Sequence, residues 1–330
     1  MSDIQTVRLG GTGLEISSVV LGMMSYGDPD RGSHAWSVGI DQARPFVRRA
    51  FDAGITAFDT ANVYSAGSSE EITGTLLREL GPREDVQVFT KVFNRMRPGR
   101  NGAGLSRVAI MHEIDASLQR LGTDYVDLYQ IHRFDPQTPI AETMEALHDV
   151  VKSGKARYIG ASSMWAWQFA EMQHTAELHG WTKFVSMQDQ YNLLEREEER
   201  EMHPFCEQSG VGVIPWSPLA RGKVTRPWDS AGSGSRSDTD EFGKTLYRQD
   251  EDANRTIVGE VQQIAEDRGV SMAQVALAWV AGKSAVTAPI IGATKEHHID
   301  DAVAASAITL TDDEVTRLES AYTPRVPSGF

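Results

Sequence analysis

The sequence has little cysteine and no long hydrophobic run. Its one cysteine, Cys206, excludes an intramolecular disulfide and a cysteine zinc cluster. The helical stretch around Cys206 predicts inert packing rather than a nucleophile. The longest apolar runs, such as 211–216, are far too short to span a bilayer, and no basic segment followed by an apolar one marks the N-terminus. We therefore expect a cytoplasmic, reduced location.

Positive charge is also scarce, because 32 Lys and Arg stand against 46 Asp and Glu and give a net charge of −14. Nucleic acids and anionic membranes repel such a surface unless basic residues are concentrated locally, and no run of Lys and Arg does this. The chain is predicted to bind neither nucleic acid nor membrane. A nucleotide cofactor stays possible, because it needs only a few local donors.

Motifs for metals and phosphate loops are missing as well. The nine histidines show no metal-ligand spacing, and no GxxxxGK[ST] loop occurs. Gly11-Thr12-Gly13 lacks the third glycine of a dinucleotide loop, and 160–164 lacks the last glycine of a nucleophile elbow. No metal site is predicted. A metal-dependent barrel hydrolase or isomerase is kept as a weaker alternative.

Short apolar runs alternate with longer amphipathic stretches along the whole chain. Runs such as VFTKV and DLYQIH are typical of buried parallel strands. Eight such units, with no break in composition, predict one α/β domain over 1–330 that forms a (β/α)8 TIM barrel. A doubly wound open sheet is the alternative. The predicted strands are 19–22, 57–59, 86–91, 125–131, 156–160, 184–188, 211–215 and 286–291, and the predicted helices are 44–53, 69–80, 106–121, 140–153, 166–180, 197–209, 255–269, 272–281 and 295–306.

Three segments lie outside this repeat. Residues 7–9 and 14–17, joined by a glycine-rich turn, predict an N-terminal β-hairpin that plugs the lower end of the barrel. Extra helices are expected towards the C-terminus. The insert 229–252 is rich in Gly, Ser and Asp, which predicts a mobile loop on the working face.

Ionisable residues stand at the ends of three consecutive predicted strands, where barrel enzymes place their chemistry. These are Asp59, Lys91 and His132, and Tyr64 follows Asp59 in the next loop. A tyrosine pKa of about 10 is too high for an efficient proton donor at neutral pH, but a lysine cation lowers it and a carboxylate keeps that lysine charged. The set predicts protonation of a developing alkoxide. The hydride must come from a cofactor, because no side chain supplies one.

Seven strings in one order carry a family resemblance over nearly the whole chain: FDTANVYSAGSSEEITGTLL, VFTKV, DYVDLYQIHRFD, RYIGASSMWAWQF, FVSMQDQYNLLERE, GVIPWSPLARGKV and PIIGATKEHHIDDAV. In them the chain resembles the aldo-keto reductases, closest to the bacterial branch related to aryl-alcohol dehydrogenases and potassium-channel β subunits. The resemblance implies a catalytic tetrad of Asp59, Tyr64, Lys91 and His132, with Tyr64 as general acid. It also implies reversible, NADPH-dependent reduction of aldehydes and ketones to alcohols.

The resemblance further implies that NADPH, or NADP+, binds in extended form across the barrel mouth. The implied contacts are Ser162 and Gln188 at the carboxamide, Trp216 on the nicotinamide ring, Ser217, Leu219 and Gly222 at the pyrophosphate, Gly292, Ala293 and Thr294 at the adenosine phosphate, Lys295 at the 2′-phosphate, and His298 and Asp301 at the adenine. Two positions depart from the family pattern. Ser163 and Ala302 stand where asparagine is usual.

Loops after the strands supply the candidate substrate pocket, namely Tyr26, Trp36, Phe93, Arg133 and Trp228, together with Phe134 and Trp165. A lining rich in aromatic rings favours aromatic or apolar carbonyl compounds, whereas Arg133 could pair with a carboxylate or phosphate. The expected partner is a small carbonyl substrate, and a homo-oligomer is left open. The alternative function is a cofactor-sensing regulatory subunit with little turnover, resembling the channel β subunits.

Overall fold

The structure is a computed structural model that describes residues 4–32, 34–230, 246–247 and 249–327. Its strands are β1 Thr6–Arg8, β2 Glu15–Ser17, β3 Val20–Gly22, β4 Ala57–Asp59, β5 Gln87–Val92, β6 Val126–Ile131, β7 Ala156–Ser162, β8 Ser186–Gln188, β9 Gly212–Val213 and β10 Ile290–Ile291. Its α-helices are α1 Ile40–Asp52, α2 Ser68–Leu80, α3 Arg107–Leu121, α4 Ile140–Lys152, α5 Ala166–His179, α6 Met202–Ser209, α7 Glu251–Arg268, α8 Met272–Ala281, α9 Glu296–Ala305 and α10 Asp312–Glu319.

Strands β3 to β10 are parallel and pair in the order β10-β3-β4-β5-β6-β7-β8-β9. The two edges meet just before β10, where Val213 and Val286 form a parallel bridge. The Thr287 amide donates to the Val213 carbonyl oxygen at 2.8 Å, and the Ile290 amide donates to the Pro215 carbonyl oxygen at 2.9 Å. The sheet therefore closes on itself, and the predicted (β/α)8 barrel is confirmed.

The helices begin and end at residues whose side chains suit those positions. At α3, for example, the Ser106 hydroxyl accepts from the Ala109 amide, which satisfies a free donor of the first turn. The same helix ends at Gly122, whose φ of 64° is left-handed and is easiest for glycine. Because each helix stops sharply, the following strand starts again at the lower end of the barrel, and every strand ends at the upper mouth.

Several predicted boundaries are wrong. Helix α1 begins at Ile40 rather than 44, because the buried face formed by Ala43, Val47 and Ala50 continues through Pro45. The predicted helix 197–209 is interrupted, since Pro204 has no N–H to bond the carbonyl group four residues earlier, and a regular helix starts only at Met202. Strands β9 and β10 are shorter than predicted, with two residues each.

The N-terminal hairpin is present and covers the lower end of the barrel, as predicted. Strands β1 and β2 pair antiparallel. Gly10 has a φ of 57°, and a Cβ there would lie 2.5 Å from the Gly210 carbonyl oxygen, so the turn lies directly against the loop before β9. One apolar cluster joins the hairpin to the strand interior: Leu9, Ile16, Val20, Ala57, Phe89, Leu128, Ile214, Ala288 and Ile290.

A second apolar core lies outside the barrel, among α7, α8, α10 and the segment after β8. Its members include Tyr191, Leu194, Val261, Trp279 and Leu318. Helix α10 belongs to the extra C-terminal helices that were expected. At its start, the Thr311 hydroxyl accepts from the Glu314 amide and the Glu314 carboxylate accepts from the Thr311 amide, which forms a reciprocal cap. The predicted loop 229–252 falls mostly outside the described residues. No described helix has the length and hydropathy needed to cross a membrane.

Candidate active site

A buried lysine–carboxylate pair lies at the upper ends of two neighbouring strands. Asp59 ends β4, and Lys91 lies one residue before the end of β5. Lys91 Nζ donates to Asp59 Oδ2 at 2.5 Å and to the Thr60 carbonyl oxygen at 2.8 Å. The Lys91 and Asp59 side chains are only 0% and 3% exposed. Charges this deeply buried require both pairing and hydrogen bonds, and this site supplies both.

Two amide side chains hold the other oxygen of Asp59. Gln130 Nε2 and Gln188 Nε2 each donate to Asp59 Oδ1 at 2.9 Å. Gln188 Nε2 also donates to Gln130 Oε1 at 3.1 Å. Strands β6 and β8 therefore contribute to the same centre as β4 and β5. Because both carboxylate oxygens accept hydrogen bonds from fixed donors, Asp59 cannot turn away from Lys91.

Tyr64 approaches the same lysine from the loop after β4. Its hydroxyl oxygen lies 3.3 Å from Lys91 Nζ. The loop turns sharply, because Ser65 and Ala66 adopt left-handed φ values of 45° and 49°. Residues with a Cβ keep such conformations only where the surroundings enforce them, and these strained positions cluster at functional sites. The turn leads directly into α2 and leaves Tyr64 half-buried at the barrel mouth.

Electrostatics keep Lys91 charged beside this hydroxyl group. Burial by itself disfavours the ammonium form, but the charges and hydrogen bonds of Asp59 and Tyr64 outweigh burial, and the pKa of Lys91 is raised above its ordinary value. Lys91 is therefore a cation throughout the neutral pH range. An ammonium group next to a phenol favours the phenolate that proton donation would leave behind.

His132 follows β6 and meets Tyr64 edge-on, with ring centres 5.7 Å apart and ring planes at 82°. Asn94 Nδ2 lies 3.3 Å from His132 Nδ1. Burial, followed by the charges of Lys91 and Arg133, lowers the pKa of His132 well below its usual range. The imidazole is neutral at neutral pH, so it donates from one nitrogen and accepts at the other. The four residues predicted as catalytic thus lie in one cluster.

The residues predicted to hold the nicotinamide lie on the next strands around the barrel. Ser162 ends β7, and its hydroxyl donates to the Gln188 carbonyl oxygen at 2.7 Å. Trp216 Nε1 donates to Ser163 Oγ at 3.0 Å, which fixes the plane of a half-exposed indole. Ser163 has a left-handed φ of 33°. A flat aromatic face and two serine side chains are therefore arranged beside the lysine centre.

The loop after β9, predicted to contact the pyrophosphate, is built from consecutive tight turns. The Ala220 amide donates to the Ser217 carbonyl oxygen at 2.9 Å, and the Gly222 amide donates to the Leu219 carbonyl oxygen at 2.8 Å. Ser217, Ala220 and Gly222 have φ values of 55°, 47° and 89°. The loop is thus tightly folded and strained at positions other than glycine.

The residues predicted for the adenosine phosphate follow β10. Gly292 is exposed, Ala293 is buried, and Thr294 is half-buried. Lys295 is exposed and precedes α9, and its side chain makes no capping hydrogen bond to that helix. The first amides of α9 are therefore not capped from this position, and the helix N-terminus is suited to an anion.

The two residues predicted for the adenine end differ in their surroundings. His298 Nδ1 accepts from the Thr294 amide at 3.2 Å, and burial with the charges of His297 and Lys295 lowers the pKa of His298. Asp301 Oδ1 accepts from Ser271 Oγ at 2.9 Å and from Gln274 Nε2 at 2.8 Å. Its carboxylate therefore binds the first turn of α8.

Two of the predicted substrate residues lie next to the lysine centre. Arg133 Nη1 donates back to the His132 carbonyl oxygen at 2.6 Å, which holds the guanidinium over the mouth. Trp36 lies 5.1 Å from the His34 ring, and that ring is 5.8 Å from the Tyr64 ring. Aromatic surface and the Arg133 guanidinium are thus added to Lys91 in the surroundings of Tyr64.

Other members of the predicted substrate set lie farther around the rim. Phe93 is half-buried after β5 and packs on the main core. Phe134 packs edge-on against Trp167 at 6.2 Å, and Trp165 is 46% exposed. Trp228 packs on the second core, with Lys223 Nζ 5.5 Å from its ring centre.

Tyr26 does not line a pocket in this structure, contrary to expectation. Its side chain is fully buried, its hydroxyl donates to the Ala293 carbonyl oxygen at 2.7 Å, and its ring stacks on Phe46 at 6.4 Å. Tyr26 follows the first barrel strand in the sequence, and for that reason it was predicted to lie in a loop at the barrel mouth. Here the short loop folds back over α1, so the ring becomes part of the core.

Three side chains of this site were missed by sequence reasoning, namely His34, Asn94 and Gln130. Gln130 had a readable signal, because it is a polar residue inside the apolar strand DLYQI. Asn94 and His34 stand in polar loops, where nothing in the sequence distinguishes them from solvent-exposed neighbours. Among the described residues, no three His, Cys, Asp or Glu side chains are grouped as they would be to hold a metal ion.

The fold and this cluster define a class: a β/α barrel with a buried lysine–carboxylate pair and a tyrosine at its mouth. The aldo/keto reductase family model matches residues 18–323, and the chain belongs to that family. Family members use nicotinamide cofactors, and the chain is an oxidoreductase of the carbonyl-reducing kind.

Similar proteins are found among fungi. Versiconal hemiacetal acetate reductase of Aspergillus parasiticus is 44% identical over 98% of this chain and 98% of its own length. Aldo-keto reductase AMT2 of Alternaria alternata is 43% identical over 98% of this chain and 92% of its own. AAD16 of Saccharomyces cerevisiae, which is named as an aryl-alcohol dehydrogenase, is 40% identical over 98% of both chains. The aryl-alcohol dehydrogenase part of the resemblance is thus supported, whereas these relatives are not bacterial.

Proposed function

We propose that this protein reduces aldehydes and ketones to alcohols with NADPH, reversibly, and that Tyr64 is the proton donor. The observation that carries the proposal is the distance of 3.3 Å between the Tyr64 hydroxyl and a lysine that is itself fixed by Asp59. A carbonyl oxygen at the Tyr64 hydroxyl gains negative charge as its carbon is reduced. It can then take the phenolic proton and become the alcohol.

Each residue of the tetrad has a separate task in that step. The Lys91 ammonium lies beside the Tyr64 oxygen and stabilises the phenolate that remains after the proton has moved. Asp59 keeps Lys91 charged, and Gln130 fixes the carboxylate. Neutral His132 can donate one hydrogen bond to the carbonyl oxygen and orient it towards Tyr64. In the oxidation direction the phenolate takes the alcohol proton back.

The nicotinamide cofactor supplies the hydride when it is bound, and the residues present fit such a group. Both N–H bonds of Gln188 are used within the protein, so its Oε1 and the Ser162 hydroxyl oxygen are the atoms suited to accept from a carboxamide. Trp216 offers a flat, half-exposed face whose plane Ser163 fixes. The uncapped start of α9 suits a phosphate.

The preference for NADPH over NADH rests on Lys295. It is exposed, it immediately precedes α9, and it lies beside Thr294 at the end of the barrel mouth. A lysine there can pair with a 2′-phosphate, which NADH lacks. His298 and Asp301 are proposed to face the adenine.

We propose aromatic or apolar carbonyl compounds as substrates. The His34 ring lies against Tyr64 and the Trp36 ring lies against His34, and Phe134 and Trp165 add aromatic surface farther along the rim. Aromatic side chains bind flat apolar rings well. The names of the similar fungal proteins, which include an aryl-alcohol dehydrogenase, agree with this substrate class.

The direct test is NADPH oxidation with 4-nitrobenzaldehyde by the wild type and by Tyr64→Phe. We expect kcat to fall by about a thousandfold in the variant, because the phenolic proton is lost while the ring stays. Tyr125→Phe is the matched control, since Tyr125 lies between Arg83 and Arg157 just before β6, away from the barrel mouth. Full activity in Tyr64→Phe would refute the assignment. NADH binding as tight as NADPH binding would refute the role of Lys295.

A further inference from the structure

The segment after β8 runs beside the start of the loop after β9 and holds it residue by residue. The Trp216 amide donates to the Asp189 carbonyl oxygen at 2.7 Å, and the Tyr191 amide donates to the Trp216 carbonyl oxygen at 3.4 Å. At the next residue along each segment, a side-chain donor takes the place of a backbone amide. Asn192 Nδ2 donates to the Ser217 carbonyl oxygen at 3.0 Å. The pairing of the two segments is thus extended by one residue, and that extension depends on Asn192.

Tyr247 holds Asn192 in place from behind. Asn192 Nδ2 donates its second hydrogen to the Tyr247 hydroxyl oxygen at 3.0 Å, and Gln190 Nε2 donates to the same oxygen at 3.1 Å. Tyr247 is 5% exposed, and burial raises its pKa to about 12 in spite of these hydrogen bonds. The hydroxyl therefore stays neutral and fixed. Its two donors come from residues on either side of the Tyr191 amide.

The loop that this arrangement supports is strained. Ser217, Ala220 and Arg221 have left-handed φ values of 55°, 47° and 54°, and none of them is glycine. Such conformations persist only where surrounding contacts over-determine them. The Ser217 carbonyl oxygen is the point where two contacts meet, because it accepts both from Asn192 and from the Ala220 amide.

We propose that Tyr247 is a positioning residue for cofactor binding, acting through Asn192 to hold the loop 216–222 in the shape that binds the pyrophosphate of NADPH. The inference rests on the proposed function, because it takes Ser217, Leu219 and Gly222 as the pyrophosphate contacts. Tyr247 itself touches neither cofactor nor substrate. Its hydroxyl fixes an amide, and the amide fixes the carbonyl group at which the strained loop begins.

The test compares Tyr247→Phe with wild type in NADPH binding without substrate, followed by quenching of tryptophan fluorescence. We expect Kd to rise about tenfold, because one buried hydrogen-bonding group is lost and Asn192 Nδ2 loses one of its two partners, although the Leu194 amide still donates to Asn192 Oδ1 at 2.9 Å. At saturating NADPH, kcat should stay within about twofold of wild type, since the Lys91 centre is untouched. Asn192→Ala should raise Kd by a similar factor, and the double variant should add little more.

Tyr322→Phe is the matched control. Tyr322 packs on the same second core, and its hydroxyl also makes two hydrogen bonds, to Glu197 and from the Arg196 amide. It should lower Tm as Tyr247→Phe does but leave Kd for NADPH unchanged. An equal rise of Kd in both variants, or no rise in Tyr247→Phe, would overturn the role of Tyr247. Failure of the wild type to bind NADPH would instead overturn the proposed function itself.

Discussion

Two buried clusters of ionisable side chains lie at the upper ends of the strands, and they differ in how their charges are balanced. The inner cluster, inside the barrel, sets one cation against one carboxylate, Lys91 against Asp59. The outer cluster follows β8 and consists of Asp189, Glu195 and Glu198, all buried. Within the outer cluster, Asp189 Oδ2 lies within hydrogen-bond distance of His203 Nε2, at 2.9 Å.

The difference appears in the pKa values. In the inner cluster, attraction to Asp59 overcomes burial, and Lys91 stays charged. In the outer cluster, burial raises the pKa of Glu195 to about 7, although Arg325 opposes the rise. Burial and the charges of Asp189 and Glu195 raise the pKa of Glu198 well above its ordinary value. Lys91 therefore stays charged over the neutral range, whereas Glu195 gains or loses its proton there.

Breaking the inner pair should give the largest effect. Lys91→Met leaves Asp59 as a buried charge without its cation, and we expect the free energy of unfolding to fall by about 3–5 kcal/mol. Reductase activity should be lost as well, because the Tyr64 phenolate has no stabilising cation. Urea unfolding of both proteins at pH 7 measures the first effect.

Two further variants identify the cause of that loss. Arg49→Met removes an exposed ion pair to Asp300, at 2.6 Å, and should change stability far less than Lys91→Met, because solvent screens the two charges. Lys91→Met combined with Asp59→Asn should regain part of the stability, because no unpaired charge remains. If Lys91→Met unfolds at the same urea concentration as wild type, the Lys91–Asp59 ion pair does not stabilise the fold as proposed.

The outer cluster should give a smaller effect that depends on pH. Because the pKa of Glu195 is about 7 in the folded protein and near 4.5 when unfolded, the folded state holds this proton more tightly. Its contribution to stability is complete below pH 4.5 and is lost as pH rises to 7. Glu195→Gln keeps the group uncharged, so it should be more stable than wild type at pH 8, by up to about 3 kcal/mol.

The measurement is urea unfolding of both proteins at pH 5 and pH 8, where the gain should be small at pH 5 and largest at pH 8. Glu260→Gln is the control, because Glu260 pairs with Arg317 at a partly exposed site and should show no such dependence. A variant less stable than wild type at pH 8 would mean that Arg325 balances the Glu195 charge after all.

The inner cluster was predictable from sequence, and the outer one was not. Asp59, Lys91 and His132 stand at strand ends, where apolar runs stop at an ionisable residue, and barrel topology brings such ends together. Gln130 was readable by the same logic. The cofactor residues were predicted from the family resemblance, and the substrate residues from their place in the loops after the strands.

The outer cluster depends on contacts that no local pattern shows. Glu195 and Glu198 belong to an acidic run that is typical of a solvated helix, yet the second core buries both. The charge of Arg325, which is distant in sequence, acts on Glu195, and Arg325 Nη1 donates to Asn254 Oδ1 at 3.2 Å. Burial of charge thus follows from how α7, α8 and α10 pack outside the barrel, and the spacing of residues in one segment does not encode that packing.

The smallest effect concerns Cys206, which reports on the outer cluster because it is the chain's one thiol. Burial, with the charges of Asp189, Glu198 and Glu207, raises the pKa of this thiol, so little of the reactive thiolate exists at pH 8. We expect no reaction with DTNB in the native protein and one equivalent after unfolding. Burial is the larger cause, so Glu198→Gln should change the native rate by less than about threefold. Native labelling as fast as in the unfolded chain would show that the outer cluster opens to solvent, and a large change in Glu198→Gln would make charge the dominant cause.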